Sequence, residues 1–287
     1  MKIFRRNKIF FFIFVFSLLT IMLSILYETN IFYIVGEYLF NPEYKDNFFN
    51  SDIQVKFELN LFSLIKYVLV EYDWTYDYML IWGTNIFQLL IPIFASISAI
   101  IFYIKNQTIN KFIFYREKSY KWYNFKEMLK ISLKTSLSVF FAFLVLFIFS
   151  IIISKGATNP NISREFLLDI LGDNFYSNYT LLYYFLDGTF RLFLIPLIYS
   201  ILACSASLLF KNTKQVFLVP IIYYFGLTII SYFISNFITY GIYISPLIAM
   251  VPGDYYNINS LCVMIMPLLA ILISIFIIFW KGKYIEI

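Results

Sequence analysis

The chain contains no histidine. That removes imidazole acids and bases, Ser–His and His–Glu catalytic arrangements, most zinc sites and histidine-ligated haem in one step. Only two cysteines occur, Cys204 and Cys262, both inside apolar runs, where a buried free thiol serves as a small apolar residue. Charge is scarce too: 14% of the 287 residues, against about 25% in ordinary soluble chains. No G-x-x-x-x-G-K-[ST] phosphate loop is present, so the chain does not bind ATP in the P-loop manner. No paired-glutamate or GxGD-type protease pattern appears, and Leu186-Asp187-Gly188 is not one. These absences leave no catalytic residue, metal site or cofactor to expect, and no enzyme activity in this chain.

What is abundant is apolar: 61% of the residues, with 35 Phe and 25 Tyr. A water-soluble domain of this composition would expose large apolar patches and aggregate. Phe, Tyr, Ile, Lys and Asn dominate, as an AT-rich coding sequence produces, which points to a low-GC bacterium and its plasma membrane. A spanning helix needs about 20 mostly apolar residues. Residues 9–27, 79–104, 135–154, 181–210, 215–236 and 258–280 qualify, giving an all-α, single-domain membrane protein with six spans. The first run is longer than a signal-peptide core and lacks a small-x-small cleavage pattern, so it reads as a retained helix. Pro92 falls inside the second span, where neighbours must satisfy the carbonyl it frees. Between residues 236 and 257 the chain is apolar but broken by Gly241, Pro246, Pro252 and Gly253, the pattern of a re-entrant or interfacial element.

The charges sort by connector. Sixteen of the 22 basic residues lie before the first run, in 105–134, at Lys211 and Lys214, or after the last run, alongside only Glu117, Glu127 and Glu286 of the 17 acids. The net charge of +5 therefore reflects membrane side rather than nucleic-acid binding. Cytoplasmic loops keep Lys and Arg, so both termini are expected in the cytoplasm and segments 28–77 and 155–180 outside. Within 28–77, Asn41-Pro42 marks a turn, and Phe62, Ile65, Leu69 and Tyr72 recur at helical spacing, as in a short interfacial helix.

Two features stand out as candidate sites. Asp187 and Arg191 are one turn apart inside the fourth run, placed to neutralise each other on one helix face. Residues 192–210 alone are long enough to cross the core, which leaves open a purely structural pair at the outer interface or a role on a transport path or subunit interface. The second is the cytoplasmic segment REKSYKWYNFKEMLK, residues 116–130. Trp122, Phe125 and Leu129 share a helical face, with Lys118, Lys121 and Lys126 largely elsewhere; such a helix lies on anionic lipid or docks on a soluble partner.

Six spans, a long basic segment before the third and a four-residue basic turn after the fourth resemble the permease subunits of ABC-2 type exporters. Phe114, Arg116, Glu117, Tyr123 and Lys126 match in kind the segment that precedes the family's third span. Leu209-Phe210-Lys211-Asn212-Thr213-Lys214-Gln215 with Pro220, and Ile244-Ser245-Pro246 before the last span, are similar to its connectors. The resemblance implies a coupling helix at Arg116, Glu117, Lys118, Lys121, Trp122, Phe125 and Lys126. It implies a separate ABC ATPase subunit, a second permease chain, and export of a lipid-like or amphipathic, peptide-antimicrobial-like substrate. The rival expectations are a non-transporting sensor, immunity factor or assembly subunit, and a secondary transporter, which would favour paired broken helices and ionisable groups at the midplane.

Overall fold

Small polar side chains point inward alongside an apolar core, and many large apolar ones point outward. On the first helix, α1 (Lys2–Glu28), Ser17, Thr20 and Ser24 are buried, while Phe11, Phe12, Leu19, Met22 and Leu23 are exposed. Water would reject such an arrangement; lipid tails favour it, because there the apolar face needs no cover and small hydroxyl residues let helices approach closely. The computed structural model describes residues 2–28, 36, 40, 75–108, 120–157, 167, 170–250 and 260–281, and no strand occurs among them.

After α1 come α2 (Tyr76–Asn85), α3 (Phe87–Thr108), α4 (Tyr120–Ser154), the short α5 (Asp173–Asn178) and α6 (Thr180–Thr189). A π-helical turn, Phe190–Leu194, joins α6 to α7 (Ile195–Ala206), which ends in the 3-10 turn Ser207–Leu209. Then follow α8 (Thr213–Ser235), two 3-10 segments, Thr239–Ile244 and Pro246–Met250, the short α9 (Ser260–Val263) and α10 (Ile265–Lys281). Among the described residues, five helical stretches are long and apolar enough to cross a bilayer: Lys8–Tyr27, Phe87–Gln107, Trp122–Ser154, Thr180–Leu209 and Thr213–Ser235.

Two of the expected spans differ. The second is not one helix over 79–104: the chain turns at Ile86, where the amide of Leu89 bonds the Ile86 carbonyl, and the span proper is α3. Gly83, and Thr84 bonding back to the Leu80 carbonyl, weaken the helix just before that turn. The sixth is split at Met264 because Pro267 has no N–H to return to the Val263 carbonyl. Its remaining 17 residues reach about 26 Å, a few ångström under the hydrocarbon thickness.

Pro92 stays inside α3, and the Tyr224 hydroxyl donates to the Gln88 carbonyl at 2.8 Å, the acceptor that Pro92 leaves without its intrahelical donor. Ser96 donates both to the Pro92 carbonyl and to the Phe217 carbonyl of α8. Ser98 joins Thr135 of α4 at 2.7 Å and Ser200 of α7 at 3.4 Å. Each such interhelical hydroxyl bond contributes about 0.6 kcal/mol in lipid.

The expected charge segregation is visible in the contacts. At one end Lys105 pairs with Glu127, Lys134 sits over the Phe10 ring, and the Tyr103 hydroxyl donates to the Lys211 carbonyl. At the other, the Tyr76 amide bonds the Ala157 carbonyl and Asp173 is exposed. Single cysteines in a background lacking Cys204 and Cys262 are expected to label with a membrane-impermeant maleimide at position 173 in intact cells. Those at 211 should label only after permeabilisation; the reverse pattern would invert the orientation. Asp46, expected outside with Asp173, and Lys111, expected in the cytoplasm with Lys211, lie outside the described residues, as do the Asn41-Pro42 turn and the 62–72 helix.

The chain after α8 does fold back. Ser231 donates to the Gly241 and Ile242 carbonyls, and Ser245 bonds Thr228, so the 3-10 segments return along the helix that preceded them. Gly241 permits this: a Cβ there would lie 2.8 Å from the Ser235 backbone nitrogen. Residues 241–250 are thereby largely covered by protein, whereas residues 236–240 remain exposed.

Candidate functional site, a buried ionic clamp

Asp187 stands in the last turn of α6 and Arg191 in the π turn that follows. The π turn has a local cause: Pro196 cannot donate to the Leu192 carbonyl, and the Ile195 amide reaches back five residues to Phe190. The two side chains are 2% and 3% exposed, buried inside the protein. Arg191 Nε and Nη2 each lie 3.0 Å from Asp187 Oδ2. Nη1 and Nη2 donate to Thr84 Oγ1 at 3.4 and 3.3 Å, and Nη1 donates to the Met250 carbonyl at 3.3 Å. A guanidinium has five N–H groups, and five contacts are made. Thr84 accepts while donating its own proton to Leu80.

The clamp gathers the chain's irregularities. Thr84 precedes the Ile86 turn, Arg191 occupies the π turn, and Met250 ends the re-entrant 3-10 segment. One arginine ties these three breaks together; the break at Met264 lies apart from it. Tyr183 and Tyr184 sit one turn before Asp187, fully buried, with Tyr184 edge-on to Tyr76 at 5.6 Å and Tyr183 edge-on to Tyr176 at 5.0 Å. This aromatic layer excludes water and strengthens the ion pair beneath it. On the α4 side, Gly188 admits the Phe143 ring so closely that a Cβ would sit 2.0 Å from Phe143 Cζ.

Sequence reasoning found the pair but not its partners. Thr84 was visible as a polar residue in an apolar run, yet nothing in the sequence says that it meets residue 191. The Met250 carbonyl has no side-chain signal at all.

The second candidate requires a correction. Residues 120–134 are not a separate cytoplasmic element but the first turns of α4, continuous with residues 135–154. Arg116, Glu117 and Lys118 lie outside the described residues, as does the side chain of Lys121. Trp122 is 63% exposed, Phe125 is half-buried against it at 5.8 Å, and Lys126 is exposed. The face that packs is offset from Trp122, Phe125 and Leu129: it runs through Asn124, Met128, Ile131 and Thr135, all fully buried. The reason is packing along a straight helix, since only that stripe continues the one buried in the span. Of the segment's acids, Glu127 is used internally, paired with Lys105, whose ammonium also lies over the Tyr123 ring.

Fold and site together define an all-helical, multi-pass membrane protein braced by a buried ionic clamp. No family model, curated protein or solved structure matches the chain.

Proposed function

We propose that this chain is the permease subunit of an ABC-2 type exporter, with six spans, both termini cytoplasmic, in a bacterial plasma membrane. It works with a separate ATPase subunit and a second permease chain, identical or related, and moves a lipid-like or amphipathic substrate.

One observation carries the reading. α4 has 35 residues, about 52 Å, against a hydrocarbon core of about 30 Å. Its surplus turns lie at the basic end and present exposed Trp122, Lys126 and Lys130. That is a surface for a soluble partner on a helix whose far half packs in the bundle. Movement imposed at Trp122 travels along one unbroken helix to Phe143, about 32 Å away, which rests on Gly188 beside the clamp. ATP-driven closure of two ATPase subunits would thus reach the π turn by a lever rather than through a loop.

Replacing Glu117 with Lys is expected to weaken ATPase binding or uncouple hydrolysis from transport while the permease still folds. Trp122→Ala should reduce complex recovery several-fold. Substrate-stimulated ATP turnover and co-purification measure both. A surface that merely rests on anionic lipid predicts the opposite for Glu117→Lys, which would strengthen headgroup attraction and leave turnover intact.

A second reading has its own support. Arg191 is buried and spends four hydrogen bonds and its ion pair on the protein itself, so in this conformation the clamp serves the fold. A static membrane protein, such as an immunity factor, a sensor or an assembly subunit, would need nothing more. Such a protein binds its toxin or partner directly and stimulates no ATP hydrolysis.

A further inference from the structure

α8 and α10 both pack on α7, yet they make almost no direct contact with each other. Between them lies a cavity of about 120 Å³. Its floor is α7 from Tyr199 to Ala206, and its walls are Val219 and Tyr223 of α8 and Ile273 and Ile277 of α10. Small or ring-closed residues leave the space open: Ala203 and Ala206 on the floor, with Pro92 and Pro220 also in the lining. The flanking residues Leu218, Ile222, Leu272 and Phe276 are exposed, so this is a side cleft facing the surroundings of the bundle.

Size limits the occupant. The volume equals that of about four waters, but an apolar lining keeps water out. A helix, about 10 Å across, does not fit. The first few carbons of a hydrocarbon chain do, with the rest of the chain running out along the exposed flank.

Charge names the rest of it. Counting 1.5 Å per residue, the cavity lies about 5–15 Å from the ends of α7 and α10 at the basic side. Lys211 and Lys214, both exposed, open α8 there, and Lys281 closes α10 with its ammonium 5.2 Å from the Trp280 ring. Ser207–Leu209 packs on α10, which brings these ends together. A tryptophan beside a lysine at a helix end is the signature of the headgroup level.

We propose that the cleft between α8 and α10 binds one anionic phospholipid, the first carbons of an acyl chain in the cavity and the phosphate at Lys211, Lys214 and Lys281. The site does not depend on the exporter reading, and a static membrane protein would bind the lipid equally.

The test uses the full chain in bicelles of dioleoyl phosphatidylglycerol or dioleoyl phosphatidylcholine, with retained lipid counted by native mass spectrometry. Wild type is expected to keep one phosphatidylglycerol per chain with at least a tenfold preference. Lys211→Gln, Lys214→Gln and Lys281→Gln together should bring that preference to near unity. Ala206→Leu fills the cavity and should remove the retained lipid while the unfolding temperature holds or rises. Should Ala206→Leu fail to fold, Val219→Phe closes the same space from α8 and carries the same expectation. Undiminished retention by a folded filled variant, no preference in wild type, or a chain–chain complex lost on filling the cleft would each overturn the proposal.

Discussion

Replacing Asp187 with Ala is expected to destabilise the protein by about 3–5 kcal/mol, enough to remove most of the folded material from the membrane. The guanidinium of Arg191 stays charged and is only 3% exposed, so without its carboxylate it has three neutral contacts and no counter-charge. Arg191→Ala strands the carboxylate instead and also releases Thr84 and the Met250 carbonyl, so it should loosen the re-entrant segment as well. The double variant removes both charges and leaves a void with the Met250 carbonyl released but no stranded charge. Its loss should be smaller than the sum of the singles by about 2 kcal/mol or more. Membrane-inserted yield and thermal unfolding in detergent report all of these. Additive losses would mean that the two charges do not act on one another.

Gly188→Ala should be nearly as damaging although it adds one methyl group. The new Cβ would lie 2.0 Å from Phe143 Cζ and 2.5 Å from both neighbouring ring carbons. Phe143 is 1% exposed, between Phe140 and Phe147 on its own helix, so the ring has nowhere to swing. Helix α6 must then part from α4, at the cost of about 1–3 kcal/mol for ordinary overpacking and more where neither side yields. Combining Gly188→Ala with Phe143→Ala should cost clearly less than the two alone added together, because the void left by the ring takes up the methyl group. Full additivity would place the contact elsewhere.

The sequence was most legible where lipid imposes a simple rule. Length and hydropathy placed the first, fourth and fifth spans, and the far end of the third, within a few residues, whereas the third begins about four turns earlier than expected. The breaks were harder. Pro92 drew attention and does little, because Tyr224 supplies the missing donor from another helix; the real interruption at Ile86 has no proline at all. The π turn follows from Pro196, but only hydrogen bonding in three dimensions tells a π turn from a kink. Asp187 and Arg191 could be paired from spacing, whereas Thr84 and Met250 reach the pair from 107 and 59 residues away. In residues 120–134 the aromatic face was legible and Trp122 stays exposed, but the opposite stripe through Asn124, Met128 and Ile131, which packs in the bundle, was not.

The central claim is that this chain is the passive half of an ATP-driven machine. The measurement that tests it most directly is recovery of the intact complex. The chain is tagged at its natural expression level, extracted in mild detergent, and its partners are identified by mass spectrometry with ATP turnover assayed on the same sample. The account predicts a separate polypeptide carrying a P-loop, bound in fixed ratio, with turnover that falls when Trp122 or Glu117 is changed. A chain that purifies without any P-loop protein, from membranes where it is folded and correctly oriented, would contradict it.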